Sequence, residues 1–256
     1  MEKHNNGNSA GTLYVVGTGP GSERYLTGAA CDALEKVDVI VGYKTYLDLI
    51  PNYLDGKEVI SSQMMKEVDR CRESLDIAEN GKNVALVCGG DPGIYAMAGL
   101  VYELAKESGS SCGIEIIAGL AAINSCAARL GAPLMHDFAA VSLSDLLTPW
   151  EVIEKRLKAA AAADFVTAIY NPKSKKRTEQ IVKTREIFLT CRTPDTPVGI
   201  VTAATRENEK IIITTLDKML ESEITMQSTV IIGNSQTYSW NDLMITPRGY
   251  ADKYNL

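Results

Sequence analysis

The stretch Val84-Ala-Leu-Val-Cys-Gly-Gly-Asp-Pro-Gly-Ile-Tyr95 brings a carboxylate to a turn of nearly bare backbone. Residues 84–88 form an apolar run and read as a buried strand. Gly89-Gly90-Asp91-Pro92-Gly93 follows, and glycines there let a ligand approach the main chain closely. A phosphate loop would aim its amides at an anion and would often add a lysine. Here the polar side chain is Asp91, which suits a ribose hydroxyl, an ammonium or a sulfonium. S-adenosylmethionine carries all three. The competing reading is a tight strand-to-helix turn in which Asp91 caps the next helix.

Other side chains invite chemistry too. His136 and Asp137 follow Pro133 in an expected interdomain loop. A histidine beside a carboxylate can shuttle a proton near neutral pH, although a lone histidine is more often structural. In Ser142-Leu-Ser-Asp145, Asp145 is either an acid–base group or one half of a helix-capping pair with Ser142. Tyr43 could donate to a developing oxyanion or simply pack. Lys173, Lys175, Lys176 and Arg177 follow Asn171-Pro172 at a strand end. They suit a ligand with several carboxylates, Arg177 bidentately. A plain helix start is the alternative, but cations there oppose the helix dipole. Lys44 and Arg129 could add to the same positive field.

The hydrophobic pattern predicts the scaffold that must position these groups. Strands are expected at 12–16, 38–42, 57–61, 84–88 and 113–118, with helices at 26–36, 64–80 and 95–107 between them. Repeated strand–helix units of this length argue for a parallel sheet covered on both faces. The second half is mixed: helices at 151–163, after Pro149, and at 175–190, with strands at 165–170, 197–201, 211–216 and 228–233. Some strands there adjoin too closely for a helical crossover, so antiparallel pairs are expected. The fold class is α/β, in two domains: 12–125 with a parallel sheet and 126–256 with a mixed one, after a frayed tail at 1–11.

In open parallel sheets ligands bind beyond the carboxyl ends of the strands. That rule gathers the turns at 17–21, 42–44 and 89–93 on one rim. The first is GxGPG rather than GxGxxG, and Pro20 removes an amide that a dinucleotide phosphate would need. A Rossmann oxidoreductase is therefore disfavoured. The net charge of −6 argues against general binding of nucleic acid or anionic membrane. Asn124 and Arg129 interrupt the best candidate for an apolar span. The 6 cysteines form no CxxC pair and no metal-ligand spacing, so reduced thiols and a cytoplasmic location are expected. With His4 and His136 the only histidines, a histidine-based metal site is not expected.

Read in order, several motifs resemble the tetrapyrrole (corrin/porphyrin) methyltransferases over roughly residues 12 to 250. They are Val16-Gly-Thr-Gly-Pro-Gly21, Gly89-Gly-Asp-Pro92, Ala118-Gly-Leu-Ala-Ala122 with Asn124, and Pro197-Val-Gly-Ile-Val201. The stretches at 41–46, 130–138, 142–150, 170–177 and 246–250 resemble the branch that methylates C17 of a corrinoid precursor and contracts its ring. The resemblance implies S-adenosylmethionine as cofactor, a corrinoid substrate, and a homodimer with its cleft between two α/β domains. Carried over by position, the cofactor would meet Pro20, Gly89, Gly90, Asp91, Ile94, Ala121 and Ala122, and from the second domain Asn171 and Ala204. Lys173, Lys175, Lys176 and Arg177 would take substrate carboxylates. Acid–base help in ring contraction would come from His136, Asp145, Tyr43 or Lys44. Two departures stand out. Leu120-Ala121 replaces a threonine that many relatives carry, and Tyr43 stands near the position of an aspartate in relatives acting on uroporphyrinogen. The alternatives are methylation at C11 or C20, or a non-enzymatic tetrapyrrole carrier.

Overall fold

The computed structural model describes residues 10–63 and 65–254, which cluster into two units, Met1–Ala122 and Ile123–Leu256. Most of the expected tail, through residue 9, lies outside the described residues, as does Met64, the expected start of a helix.

In the first unit β1 (Thr12–Gly17), β2 (Val39–Tyr43), β3 (Glu58–Ser62), β4 (Val84–Cys88) and β5 (Gly113–Ile117) form one sheet in the order β3-β2-β4-β1-β5. Every pairing in it is parallel. Between the strands run α1 (Gly28–Lys36), the short α2 (Lys44–Leu47), α3 (Glu67–Glu79) and α4 (Ala98–Ser108). Side chains alternate across the pleat. Leu13 and Val15 of β1 pack with Leu75 of α3 and Val101 of α4, while Tyr14 and Val16 pack with Ala30 and Leu34 of α1. The sheet is thus covered on both faces, which is why β4 is buried at every position and reads as one apolar run.

Helix starts differ from the periodicity for local reasons. Thr27 Oγ1 accepts from Ala30 N at 3.1 Å, so α1 begins after Thr27 and Leu26 stays outside it. Tyr95 has φ +54°, so α4 begins at Ala98 rather than near 95, and Asp91 is too far upstream to cap it.

The second unit begins within α5 (Ala122–Leu130). It continues with β6 (Gly131–Ala132), β7 (Phe138–Ser142), α6 (Trp150–Ala162), β8 (Val166–Tyr170), α7 (Glu179–Leu189), β9 (Pro197–Thr202) and β10 (Lys210–Thr215). Then come β11 (Ser228–Ile232), β12 (Tyr238–Trp240), β13 (Leu243–Ile245) and α8 (Tyr250–Lys253). The main sheet, β10-β9-β11-β8-β7, is mixed: β7 and β8 are parallel and the other pairs antiparallel. Strands β7, β8 and β9 therefore run the same way and end on one edge. Its core holds Leu143, Ile153, Leu157, Ile169, Phe188, Ile200 and Val230.

Two expectations fail here. Ser142 ends β7 and α6 starts only at Trp150, so Ser142 and Asp145 cap no helix. Instead Ser142 Oγ accepts from Ser144 N at 3.2 Å. The basic cluster at 173–177 lies in the loop before α7 rather than inside its first turn, so the helix-dipole penalty does not apply to it. No helix among the described residues is long and apolar enough to cross a membrane.

Candidate functional site

Because all five strands of the first unit are parallel, the turns after β1, β2, β4 and β5 share one rim. Adjacent β1 and β4 lead to α1 and α4, which lie on opposite faces; this is the switch point at which open sheets bind ligands. The two turns are hydrogen-bonded to each other: Gly19 N donates to Gly90 O at 3.1 Å and Gly90 N to Gly19 O at 2.7 Å. Thr18 N and Thr18 Oγ1 both donate to Cys88 O, at 2.8 and 3.0 Å. A Cβ on Gly17 would lie 2.6 Å from Gly119 N, and one on Gly119 would lie 2.1 Å from Gly90 O. These glycines let three turns touch one another. Gly89 likewise lies under the Tyr46 ring, 2.5 Å from where its Cβ would be. Among the glycines packed in these turns, Gly90 keeps open space on its Cβ side, with Ala122 N the nearest atom at 3.8 Å.

Asp91 is half-buried and braces this junction. Its Oδ1 accepts from Gly93 N at 2.8 Å and its Oδ2 from Gly119 N at 3.1 Å. Each oxygen keeps a second lone pair for a hydroxyl or an ammonium. Around it Pro20 and Ala121 are buried, Ala122 is half-buried and Ile94 is exposed. A half-buried acceptor beside small residues and open main chain fits a nucleoside joined to an amino acid. Tyr43 ends β2 with its ring edge-on to Tyr46, 5.5 Å between centroids. Lys44 is exposed and paired with Asp48 at 2.9 Å, an exposed pair that adds little.

In the second unit, Asn171 follows β8 in the left-handed region, φ +49°. Its Nδ2 donates to Ser142 Oγ at 3.0 Å, tying it to the end of β7. Its carbonyl accepts from Arg177 Nη2 at 2.9 Å. Ser174 N donates to Arg177 O and Arg177 N to Ser174 Oγ, closing the loop on itself. Arg177 is only 9% exposed, and its Nε has no hydrogen-bond partner among the described residues. Lys175 and Lys176 are exposed and Lys173 half-buried. The basic cluster thus divides: three ammonium groups reach toward solvent while the guanidinium turns inward.

Ala204, past the end of β9, is buried between Ala203 at φ +50° and Thr205 at φ +68°. Such backbone costs roughly 1–3 kcal/mol per residue and gathers at ligand sites. Thr205 N donates to the Glu209 carboxylate, which also pairs with Arg129 Nε at 2.9 Å, so Arg129 is compensated. Asp145 is exposed and accepts from Gln180 Nε2 at 2.7 Å. His136 is exposed, its Nδ1 accepting from Asp137 N at 2.8 Å. It precedes β7 while Asp145 follows it, and the strand alone spans about 13 Å. Those two side chains are not brought together.

Thr18, Tyr46, Gly119 and Tyr170 lie in the motif stretches but are not among the site residues read from the sequence; Thr18, Tyr46 and Gly119 pack the turns of the first unit's rim. Tyr170 Oη accepts from Ile123 N at 2.9 Å, in the first turn of α5. The cysteines are free. Burial pushes the Cys71 thiol up to about 12 and those of Cys88 and Cys126 to about 11, so they stay protonated at neutral pH. Among the described residues no cluster of three or more His, Cys, Asp or Glu could hold a metal ion.

A family model for tetrapyrrole (corrin/porphyrin) methylases matches residues 12–220. The chain is 53% identical over 250 residues to the cobalt-factor III methyltransferase of Priestia megaterium, covering 96% of this chain and 46% of that protein. It is 46% identical over 239 residues to a probable cobalt-factor III C(17)-methyltransferase of Salmonella typhimurium, covering 93% and 99%. It therefore spans about half the Priestia relative and nearly all of the Salmonella one. Among solved structures, the methyltransferase CobJ superposes with a TM-score of 0.86 at 34% identity, covering 93% of this chain and 100% of that one.

Proposed function

Since this chain belongs to the tetrapyrrole (corrin/porphyrin) methylase family, we propose that it methylates C17 of a corrinoid precursor, with contraction of the macrocycle, in cobalamin biosynthesis. The observation that carries this reading is the likeness, over 93% of this chain, to a relative of nearly the same length named a probable cobalt-factor III C(17)-methyltransferase. The substrate would be precorrin-3B or its cobalt-bearing counterpart.

S-adenosylmethionine supplies an electrophilic methyl on a sulfonium. The work left to this chain is to orient two ligands and exclude water, which can account for most of the rate of such a transfer. Gly90, Asp91, Ala121 and Ala122, with Pro20, Gly89 and Ile94, form the cofactor surface of the first unit. In the second unit, Asn171 and Ala204 are the candidates for cofactor contact. Lys173, Lys175 and Lys176 face substrate carboxylates, and Arg177 fixes the loop that bears them. Tyr43, Lys44 and Asp145 are the candidates for moving a proton during contraction. His136, at the other end of β7 from Asp145, is the weakest of the four by position. Net charge −6 and unpaired cysteines support a cytoplasmic protein that binds small molecules rather than nucleic acid, and the family points to a homodimer.

The decisive experiment incubates the chain with S-adenosylmethionine and each substrate form, metal-free and cobalt-loaded, and assigns the product by mass and NMR. One new methyl at C17 is expected. A methyl at C11 or C20, or tight pigment binding with no transfer, would defeat the reading.

A further inference from the structure

We propose that the second unit seats the substrate macrocycle on two adjacent loops, with Leu146 and Leu147 against its flat apolar face and Lys173, Lys175 and Lys176 at its rim carboxylates. This rests on the reading of the substrate as a corrinoid precursor. Strands β7 and β8 are neighbours and parallel, so the loops that follow them, 143–149 and 171–178, leave the sheet side by side. They are joined at the root: Leu143 N donates to Tyr170 O at 2.9 Å and Asn171 Nδ2 to Ser142 Oγ at 3.0 Å. Farther out, Gln180 Nε2 of α7 holds Asp145 at 2.7 Å.

The first loop is anchored at both ends, by Leu143 and by Ile153 of α6, which are buried in the same core. Yet at its tip Leu146 is 75% and Leu147 98% exposed. On the second loop the lysine ammonium groups make no hydrogen bond or ion pair among the described residues. Arg177 holds that loop by its bond to the Asn171 carbonyl. A fixed apolar tip beside uncompensated ammonium groups complements a ring with apolar faces and an acidic rim. An anionic membrane offers similar chemistry, but a tip of two leucines is far smaller than an interfacial helix face.

The test uses the full chain and uroporphyrin III, a stable porphyrin octacarboxylate, titrated by its Soret band. Leu146→Ser/Leu147→Ser should bind it at least tenfold more weakly, with an unchanged dependence on salt. Lys175→Gln/Lys176→Gln should weaken binding and flatten the salt dependence. Leu146→Ile/Leu147→Met should bind like the wild type. Wild-type affinity in the serine variant overturns the proposal, as does a wild type that binds no porphyrin. It is also overturned if the serine variant changes only the sedimentation coefficient, or only co-flotation with phosphatidylcholine–phosphatidylglycerol vesicles. Calorimetric titration with S-adenosylhomocysteine tests the methyl-donor reading separately. No binding there defeats that reading and leaves the porphyrin result to decide this one.

Discussion

Asp91 commits both carboxylate oxygens to main-chain donors, so its substitution tests two roles at once. Asp91→Asn turns one acceptor into a donor facing an N–H. This should cost about 1–3 kcal/mol of stability, read as a lower midpoint in denaturant. It should also weaken S-adenosylhomocysteine binding more than tenfold by calorimetry, and Asp91→Arg should abolish it. A variant that loses stability but keeps its affinity would reduce Asp91 to a brace. That Asp91 matters to the turn was legible in the sequence, because it is a lone carboxylate among glycines. Its partner was not, since Gly119 stands 28 residues away and offers only a backbone N–H. Arg177 was misjudged for a related reason. A guanidinium following three lysines reads as one more exposed cation, and only the closed 171–177 turn sends it inward.

Close approach of turns makes the rim sensitive at the scale of whole elements. Gly119→Ala would put a Cβ 2.1 Å from Gly90 O, on backbone that cannot swing aside. A loss of about 1–3 kcal/mol or more is expected, together with cofactor affinity. Gly99→Ala in α4 meets nothing within 4 Å and should instead stabilise by about 0.4–1 kcal/mol. Thermal melts of the two variants should move in opposite directions. Glu79 ties the end of α3 to the loop before β5, accepting from Ser110 Oγ, Ser111 N, Ser111 Oγ and Cys112 N. These bonds, the one from Ser110 foremost, hold its carboxyl down to about 2. A depressed carboxylate stabilises fully above its unfolded value, about 4.3, and that stability fades as pH falls toward about 2. Glu79→Gln should therefore lie below the wild type at neutral pH and converge with it in acid. Element boundaries follow the same local logic. Strands β1 to β5 were readable to within a residue or so; in β1, β2 and β4 burial leaves nearly unbroken apolar runs, while the more exposed β3 and β5 were placed by the apolar residues they still carry. The strands β6, β12 and β13 were missed because two or three residues carry no period, and β7 because Phe138-Ala-Ala-Val-Ser142 shows no alternation. The start of α7 slipped because Lys175 and Lys176 favour helices until the Ser174–Arg177 turn excludes them.

Over the whole molecule, net charge −6 would oppose a polyanionic substrate, and on the proposed reading the lysine loop supplies the local attraction. Neutralising two of Lys173, Lys175 and Lys176 should raise substrate KM several-fold, at about 0.2–1 kcal/mol per exposed contact. Affinity for S-adenosylhomocysteine should be unchanged. The wild-type KM should climb with ionic strength, and a flat profile would return the cluster to ordinary solvated surface. At this scale the order of motifs made the family legible, while no single motif fixed where each loop lies. The strand order of the first sheet has a consequence for synthesis. Strand β1, made before both of its neighbours, sits between β4 and β5, and Thr12 N bonds to Asn83, 71 residues on. At about 5–20 residues per second, the ribosome leaves β1 without its β4 neighbour for roughly 4–14 s. During that interval Leu13, Val15 and Val16 are an unpaired apolar strand on a nascent chain. Ribosome-bound chains halted before residue 84 should therefore recruit chaperones, and chains halted far enough past residue 117 for β5 to clear the exit tunnel should release them.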